Sequence, residues 1–265
     1  MNRFQYAPNI SWLFPETPFS SRPAVVAGAG FRALEFGFPS HADLEALEAA
    51  VMDLGLEVVL FNQDVPVWDE SNRGYLVDPD RRDTFRRTLD QALEICRRLR
   101  ARKVMLPAGV VLPDADRESQ RQCMLENLRE AAPLAQDAGV VLTIEVLNPT
   151  DNPAYFLTSP DEAAQVVDAI DHTSVGFQLD TYHLAALGFD PAEAIRRLGR
   201  RIAHIQFADF PGRHEPETGS LNFTEIQAAI REIGYRGPIG LEYVPLRAGV
   251  QAVAWTQAAP AGTSG

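Results

Sequence analysis

Glu145, Asp180, Gln206 and Glu242, all in the C-terminal half of the chain, are candidates for one shared chemistry. Each is acidic or amide-bearing, and each sits in an otherwise apolar run. The runs are Thr143-Ile144-Glu145-Val146, Phe177-Gln178-Leu179-Asp180, His204-Ile205-Gln206-Phe207 and Gly240-Leu241-Glu242-Tyr243. A buried carboxylate without a partner is very costly, so three of them on adjacent strands call for a cation. Oxygen donors from Glu, Asp and an amide suit one hard or borderline divalent ion, Mg2+ or Mn2+. The competing possibility is a set of unrelated strand-end groups meeting water, and each further strand that repeats the pattern weakens it. Residues two positions apart on a strand share a face. Thr143, Gln178, His204 and Gly240 therefore form a layer beneath the four, where polar members are expected to orient the ligands. His204 equally reads as a buried histidine bonded to backbone.

Such a set needs strands that converge at one end. Short apolar, β-rich runs recur at 4–10, 33–38, 57–62, 103–108, 140–147, 175–180, 202–208 and 239–244. Segments with helical periodicity separate them, at 43–54, 81–99, 117–138, 191–198 and 222–233. Ser159-Pro160-Asp161-Glu162 is a further helix start, with a Ser cap, Pro in the first turn and acids behind it. Weaker patterns predict helices at 19–27 and 249–257. Strands alternating with helices indicate a parallel sheet, and eight such units indicate α/β architecture closed as a single (β/α)8 TIM barrel over residues 1–257. The small, polar tail 258–265 is expected to be disordered. In this architecture, reactive groups occupy the C-terminal strand ends, where the four residues lie. Gly28-Ala29-Gly30-Phe31-Arg32-Ala33 fits G-x-G-x-x-A, but a dinucleotide fingerprint must open a helix. Leu34-Glu35-Phe36-Gly37-Phe38-Pro39 follows with a strand pattern, so these glycines read as a helix stop.

Composition narrows the partners. The 265 residues are 46% apolar and 23% charged, with a formal net charge of −12. No basic stripe suits nucleic acid; the arginines between Arg86 and Arg102 read as one helix balanced by acids. No apolar run approaches the ~20 residues of a membrane span, and the N-terminus lacks the apolar core of a signal peptide. Cys96 and Cys123 make no disulfide framework. The expectation is a cytoplasmic protein that takes a small-molecule substrate, with neither nucleic acid nor membrane as partner; self-association as a homo-oligomer is compatible with it. Lys103 is the only lysine. It begins a strand, at the structural end of a barrel, which argues against imine chemistry.

Several segments are similar to the hydroxypyruvate isomerase family, within the xylose isomerase-like barrels. They are Glu145-Val146-Leu147-Asn148, Gln178-Leu179-Asp180-Thr181-Tyr182-His183, Gln206-Phe207-Ala208-Asp209, Glu215-Pro216-Glu217-Thr218-Gly219 and Glu242-Tyr243. In the first half, Asn9-Ile10-Ser11-Trp12-Leu13-Phe14, Gly30-Phe31 with Glu35-Phe36, Asn62 with Trp68, Arg73-Gly74 and Pro79 also fit. The resemblance implies that Glu145, Asp180, Gln206 and Glu242 bind the metal and that Glu145 and Glu242 move the proton. It places His183 and Arg213 on the substrate, with Asp151 and Glu215 as further substrate-binding candidates. One departure stands out: the family's usual Glu-Tyr-Lys-Pro is here Glu242-Tyr243-Val244-Pro245.

The chemistry so implied is metal-assisted isomerisation of hydroxypyruvate, or a closely related short 2-oxo sugar acid, to tartronate semialdehyde through an enediolate. One glutamate would remove the proton and the other return it. The neighbouring alternatives are a 2-oxo-tetronate isomerase and a ketose 3-epimerase. From another class, a barrel that binds a metabolite without converting it is the competitor, kept open by Val244. Trp12, Phe14, Phe38 and Trp68 are candidates for aromatic walls that exclude water, or for plain core.

Overall fold

The computed structural model describes residues 4–38 and 41–257. The expected tail at 258–265 lies outside them. The eight expected strands are present as β1 (Tyr6–Pro8), β2 (Ala33–Phe36), β3 (Glu57–Asn62), β4 (Lys103–Met105), β5 (Val141–Glu145), β6 (Val175–Asp180), β7 (Ile202–Phe207) and β8 (Ile239–Leu241). All pair in parallel, in the order β1-β8-β7-β6-β5-β4-β3-β2. The β1–β2 seam is joined by a parallel bridge between Asn9 and Glu35, where Ile10 N donates to Glu35 O at 2.8 Å. The sheet thereby becomes a (β/α)8 barrel. Several strands are shorter than their apolar runs, because loop residues beyond them, such as Leu106, Ala108 and Tyr243, are also buried. Hydrophobicity outruns strand pairing where loops pack over the barrel.

The surrounding helices are α1 (Arg22–Gly28), α2 (His41–Leu54), α3 (Arg82–Leu99), α4 (Arg117–Asp137), α5 (Pro160–Ile170), α6 (Thr181–Ala186), α7 (Pro191–Leu198) and α8 (Phe223–Glu232). Their starts follow capping chemistry: Ser159, Asp190 and Asn222 accept the amides of Glu162, Glu193 and Glu225. Four arginines of α3 are paired with acids, Arg82 and Arg86 with Glu126 and Glu130 of α4, Arg97 with Glu94 and Arg98 with Glu48. Three details differ from the sequence expectation. The segment expected as one helix at 19–27 is a 3₁₀ turn, Phe19–Ser21, followed by α1. The segment Gly249–Gln257 is 3₁₀ rather than α-helical. The helix α6 had no signal, since six residues are too few to display a helical period. Gly30, at φ +87°, turns the chain from α1 into β2, as the stop reading requires.

The principal apolar core lies among the strands, helices and loops, and a second small cluster unites Ala7, Ala33, Val59, Leu60 and Met105 from β1 to β4. Along β5 to β7, by contrast, Thr143, Gln178 and His204 are buried polar residues. Among the described residues no helix is long and apolar enough to cross a membrane. Cys96 and Cys123 are buried free thiols.

Candidate active site

At the C-terminal ends of β5 to β8 the four singled-out residues are linked through Gln178 and Arg213 into one hydrogen-bonded chain, an open ring whose unbonded ends are Glu145 and Asp180. Gln178 Nε2 donates to Glu145 Oε2 at 3.1 Å and to Gln206 Oε1 at 2.9 Å. Gln206 Nε2 then donates to Glu242 Oε2 at 2.7 Å. One nitrogen of Arg213 bridges Glu242 Oε1 at 2.6 Å and Asp180 Oδ2 at 3.1 Å. Thr143 supports the ring from below, its hydroxyl bonded to Gln178 Oε1 at 3.0 Å. Glu145 and Asp180 are almost wholly buried, and Gln206 entirely so. Glu145 Oε1 is buried with no hydrogen-bond partner, an arrangement native proteins rarely keep without a reason.

The electrostatics agree with a shortage of positive charge. Burial raises the Glu145 carboxyl well above the usual carboxylate range, and Glu242 and Asp180 raise it further. Burial pushes Asp180 up to about 7 against the opposing pull of Arg213, and it raises Glu242 as well. Burial disfavours the Arg213 charge, but Asp180, Glu242 and Glu145 together outweigh it and hold the guanidinium protonated.

Local folding explains how the rim residues arrive. Asp180 ends β6 and caps α6, its Oδ1 accepting from Tyr182 N at 2.8 Å. His183 consequently lies one turn along, its Nε2 3.9 Å from Asp180 Oδ2. The backbone N–H of Asn148 donates to His183 Nδ1 at 3.2 Å, which puts the ring proton on Nε2. Burial and Arg213 hold this imidazole well below its ordinary pKa, so it is neutral. Glu145, Asp180 and His183 each offer a ligand atom within 4.8 Å of the others. With Nδ1 accepting from backbone, however, His183 faces Asp180 as a hydrogen-bond donor. Arg213 has φ +54° and follows Gly212 at +97° in the loop after β7. Asp209 shapes that loop by accepting the amides of Phe210, Gly219 and Leu221. A Cβ at Gly219 would lie 2.5 Å from Phe210 O, so glycine is required there. The guanidinium is sandwiched by Trp12 at 4.4 Å and Tyr182 at 5.2 Å.

The two remaining substrate candidates lie outside the ring. Asp151 Oδ2 accepts from Asn148 Nδ2 at 2.9 Å and from the Tyr182 hydroxyl at 2.7 Å, at the rim. Both Glu215 oxygens accept from Leu246 N, at 3.0 and 3.1 Å, tying the loop after β7 to the loop after β8. Of the aromatic candidates, Phe14 is fully buried core, while Trp68 is 43% exposed under the Arg73 guanidinium.

A second polar group beneath the ring escaped the strand-end reasoning. Glu35 of β2 is completely buried, its Oε1 accepting from Gln206 Nε2 at 2.7 Å and its Oε2 lying 2.7 Å from His204 Nε2. Lys103 Nζ sits 3.2 Å behind, on His204 Nδ1. Asn9 spans both layers, donating to Glu242 Oε2 at 2.8 Å and to Glu35 Oε1 at 3.4 Å. Glu35 is an acid in an apolar run just as Glu145 is, but it stands inside its strand rather than at the end. Lys103 does begin its strand, yet its amine reaches the barrel interior.

Comparison with known proteins agrees with this architecture. The family model described as Xylose isomerase-like TIM barrel matches residues 23–259. A 2-oxo-tetronate isomerase of Cupriavidus necator is 37% identical over 94% of this chain and 95% of its own length. The hydroxypyruvate isomerase of Escherichia coli is 31% identical over 91% and 93%. Among solved structures, one described as AP endonuclease, family 2, from Brucella melitensis superposes with a TM-score of 0.91 at 31% identity, covering 96% of this chain and 98% of that one. The chain thus belongs to the xylose isomerase-like TIM barrels and, within them, to the hydroxypyruvate isomerase family of isomerases.

Proposed function

We propose that the protein isomerises hydroxypyruvate, or a closely related short 2-oxo sugar acid, with Glu145 and Glu242 as the proton-transferring pair. The observation that carries this reading is the bare, buried Glu145 Oε1 in a ring of three carboxylates whose proton affinities burial has raised. An all-oxygen donor set with an orphaned carboxylate oxygen fits a divalent cation, Mg2+ or Mn2+. Glu145, Asp180, Gln206 and Glu242 would hold it, with the His183 Nε2–H standing beside Asp180. When bound, such an ion polarises a carbonyl and stabilises negative charge on neighbouring oxygens.

The protein's own residues supply the remainder. In hydroxypyruvate the C3–H bond breaks toward one glutamate, its electrons forming the C2–C3 double bond of an enediolate. The other glutamate delivers a proton to C2, and the C3 hydroxyl proton passes to the oxygen on C2 as the aldehyde forms at C3, giving tartronate semialdehyde. One glutamate ends a proton richer and its partner a proton poorer until both re-equilibrate with solvent. A base works best with a pKa near the operating pH, and the raised values of Glu145 and Glu242 move them that way. Arg213 is preorganised by its aromatic sandwich, and its buried Nε has no partner among the described residues. A substrate carboxylate suits that guanidinium. His183 Nε2–H suits a substrate oxygen. The net charge of −12 supports a free small molecule over nucleic acid as the partner.

The 37% identity to a 2-oxo-tetronate isomerase favours a second reading with a four-carbon substrate. Purified protein given Mn2+ or Mg2+ should exchange the C3 protons of hydroxypyruvate in D2O, and a chelator should stop it. Failure with hydroxypyruvate but exchange with 2-oxo-tetronate would select the second reading; failure with both, under either metal, would sink the isomerase proposal.

A further inference from the structure

Gln206 poses a problem for any reading in which it ligates an ion: an amide can point either oxygen or nitrogen at the site, and only oxygen is a ligand. Here the Nε2 group is saturated, since its two protons go to Glu35 Oε1 and Glu242 Oε2, both at 2.7 Å. Reversing the amide would set its oxygen against two carboxylate oxygens. The forward orientation leaves Oε1 with one lone pair on Gln178 Nε2 and one free. We infer that Glu35 is a positioning residue, which fixes the Gln206 amide nitrogen and so leaves the amide oxygen, with a lone pair free, as the atom available to an ion.

Two further features belong to the same device. A Cβ at Gly240 would lie 2.4 Å from Glu35 Oε1 and 2.5 Å from Oε2, so β8 is left without a side chain where the carboxylate sits. Behind it, the His204 ring and then Lys103 Nζ fix Oε2, which leaves Oε1 as the face turned to Gln206. With the Lys103 ammonium donating to Nδ1, His204 Nε2–H donates to Glu35 Oε2, so the two carboxylate oxygens are divided between His204 and Gln206. Glu35 also lies at the Asn9 bridge that joins β1 to β2, so its backbone is anchored by the barrel closure itself.

The inference rests on the proposed role of Gln206, and one titration separates the two. The full-length chain is stripped with a chelator and its Mn2+ affinity measured by electron paramagnetic resonance, with the metal-free melting temperature alongside. Gln206→Ala should weaken Mn2+. Glu35→Leu should weaken it by about tenfold to a hundredfold, the usual range for groups that orient ligands. In the Gln206→Ala background Glu35→Leu should add almost nothing, because it acts through that amide. Glu35→Gln, which keeps an acceptor toward Gln206, should recover most of the affinity. Should Glu35→Leu not fold, Gly240→Ala displaces the carboxylate without removing it, and is expected to weaken Mn2+ in the same Gln206-dependent way. Unchanged Mn2+ affinity in a folded Glu35→Leu or Gly240→Ala protein, or a loss that adds in full to that of Gln206→Ala, overturns the positioning role. Unchanged affinity in Gln206→Ala itself removes the ligand assignment, and the inference with it.

Discussion

Two charged layers lie one above the other inside this barrel, and they are satisfied in opposite ways. In the lower one an acid, an imidazole and an amine line up as Glu35, His204 and Lys103, each within hydrogen-bonding distance of the next. In the upper one two of three carboxylates share a single guanidinium, and the third, Glu145, keeps Oε1 without a partner. Folding alone accounts for the lower layer, because its members supply one another's partners. It does not account for the upper one, where the proposed ion would supply the missing partner. A protein keeps such a deficit at a cost in stability when the deficit is the binding site. Removing groups from the upper layer should therefore cost activity, and removing Lys103, at the far end of the lower layer, should cost stability; Glu35, which reaches Gln206, couples the two.

The largest expected effect tests the upper layer. Glu145→Gln and Glu242→Gln should each lower kcat by about 10²–10⁴-fold, the span typical of a lost general acid or base. The metal-free melting temperature should hold or rise, since a neutral amide relieves carboxylate repulsion. Appreciable turnover in either variant, or a collapse of the fold in both, would break the contrast between the layers.

Next comes pH. Asp180 ionises at about 7 in the fold against an ordinary value of 3.8, and Glu145 and Glu242 shift the same way. The folded state thus holds these protons more tightly than the unfolded chain. The stability they contribute is complete below about pH 4 and is lost as pH rises through about 7. Chelated protein should lose on the order of a few kcal/mol between pH 5 and 8. Excess Mn2+ should flatten the curve. A chelated protein whose melting temperature does not change over that interval contradicts the deficit.

Much of the upper layer was legible in the sequence because an acid that closes an apolar run in a parallel barrel is carried to the end where ligands bind. The eight strands were legible because their alternation with capped helices leaves the chain little freedom. What stayed hidden depended on contacts across the barrel. Glu35 breaks an apolar run just as Glu145 does, but one residue before its strand ends, and only the closing bridge to Asn9 brings it beneath Gln206. Lys103 was placed by its backbone at the barrel's structural end, whereas its long side chain carries the amine to His204. The Glu-Pro-x-Thr-Gly segment carried family information without stating its use. Glu215 holds Leu246 N and Gly219 makes room for Asp209, so these residues build the loop that presents Arg213.

The lower layer has its own, smaller test. Lys103→Met keeps the length of the chain's one lysine and removes its nitrogen, leaving His204 Nδ1 without that neighbour. A buried polar group stripped of its partner costs about 1–3 kcal/mol, which thermal melts of the metal-loaded protein would register. Part of this is offset, because burial already depresses the amine to about 8 and charging it in the fold is unfavourable. Turnover should stay within about threefold of the parent, since two side chains, His204 and Glu35, stand between the amine and Gln206. A large loss of kcat with an unchanged melting temperature would reverse the assignment of the two layers.

The smallest effect is expected at the departure from the family pattern. Val244 is 44% exposed, and its backbone is committed: its N–H donates to Arg213 O and its carbonyl accepts from His214 Nδ1, both at 2.8 Å. Val244→Lys therefore adds a charge at the rim without disturbing the loop. A solvent-exposed ammonium gains no more than about 1 kcal/mol from an anion, less as salt rises. The gain in kcat/KM for an acidic substrate should accordingly stay below about fivefold and shrink in about 0.5 M salt. A gain of a hundredfold would mean that the lysine enters the site and that Arg213 is not the sufficient anchor for a carboxylate. A gain confined to either the three-carbon or the four-carbon acid would show which substrate length reaches the rim, sharpening the choice that the ring of carboxylates leaves open.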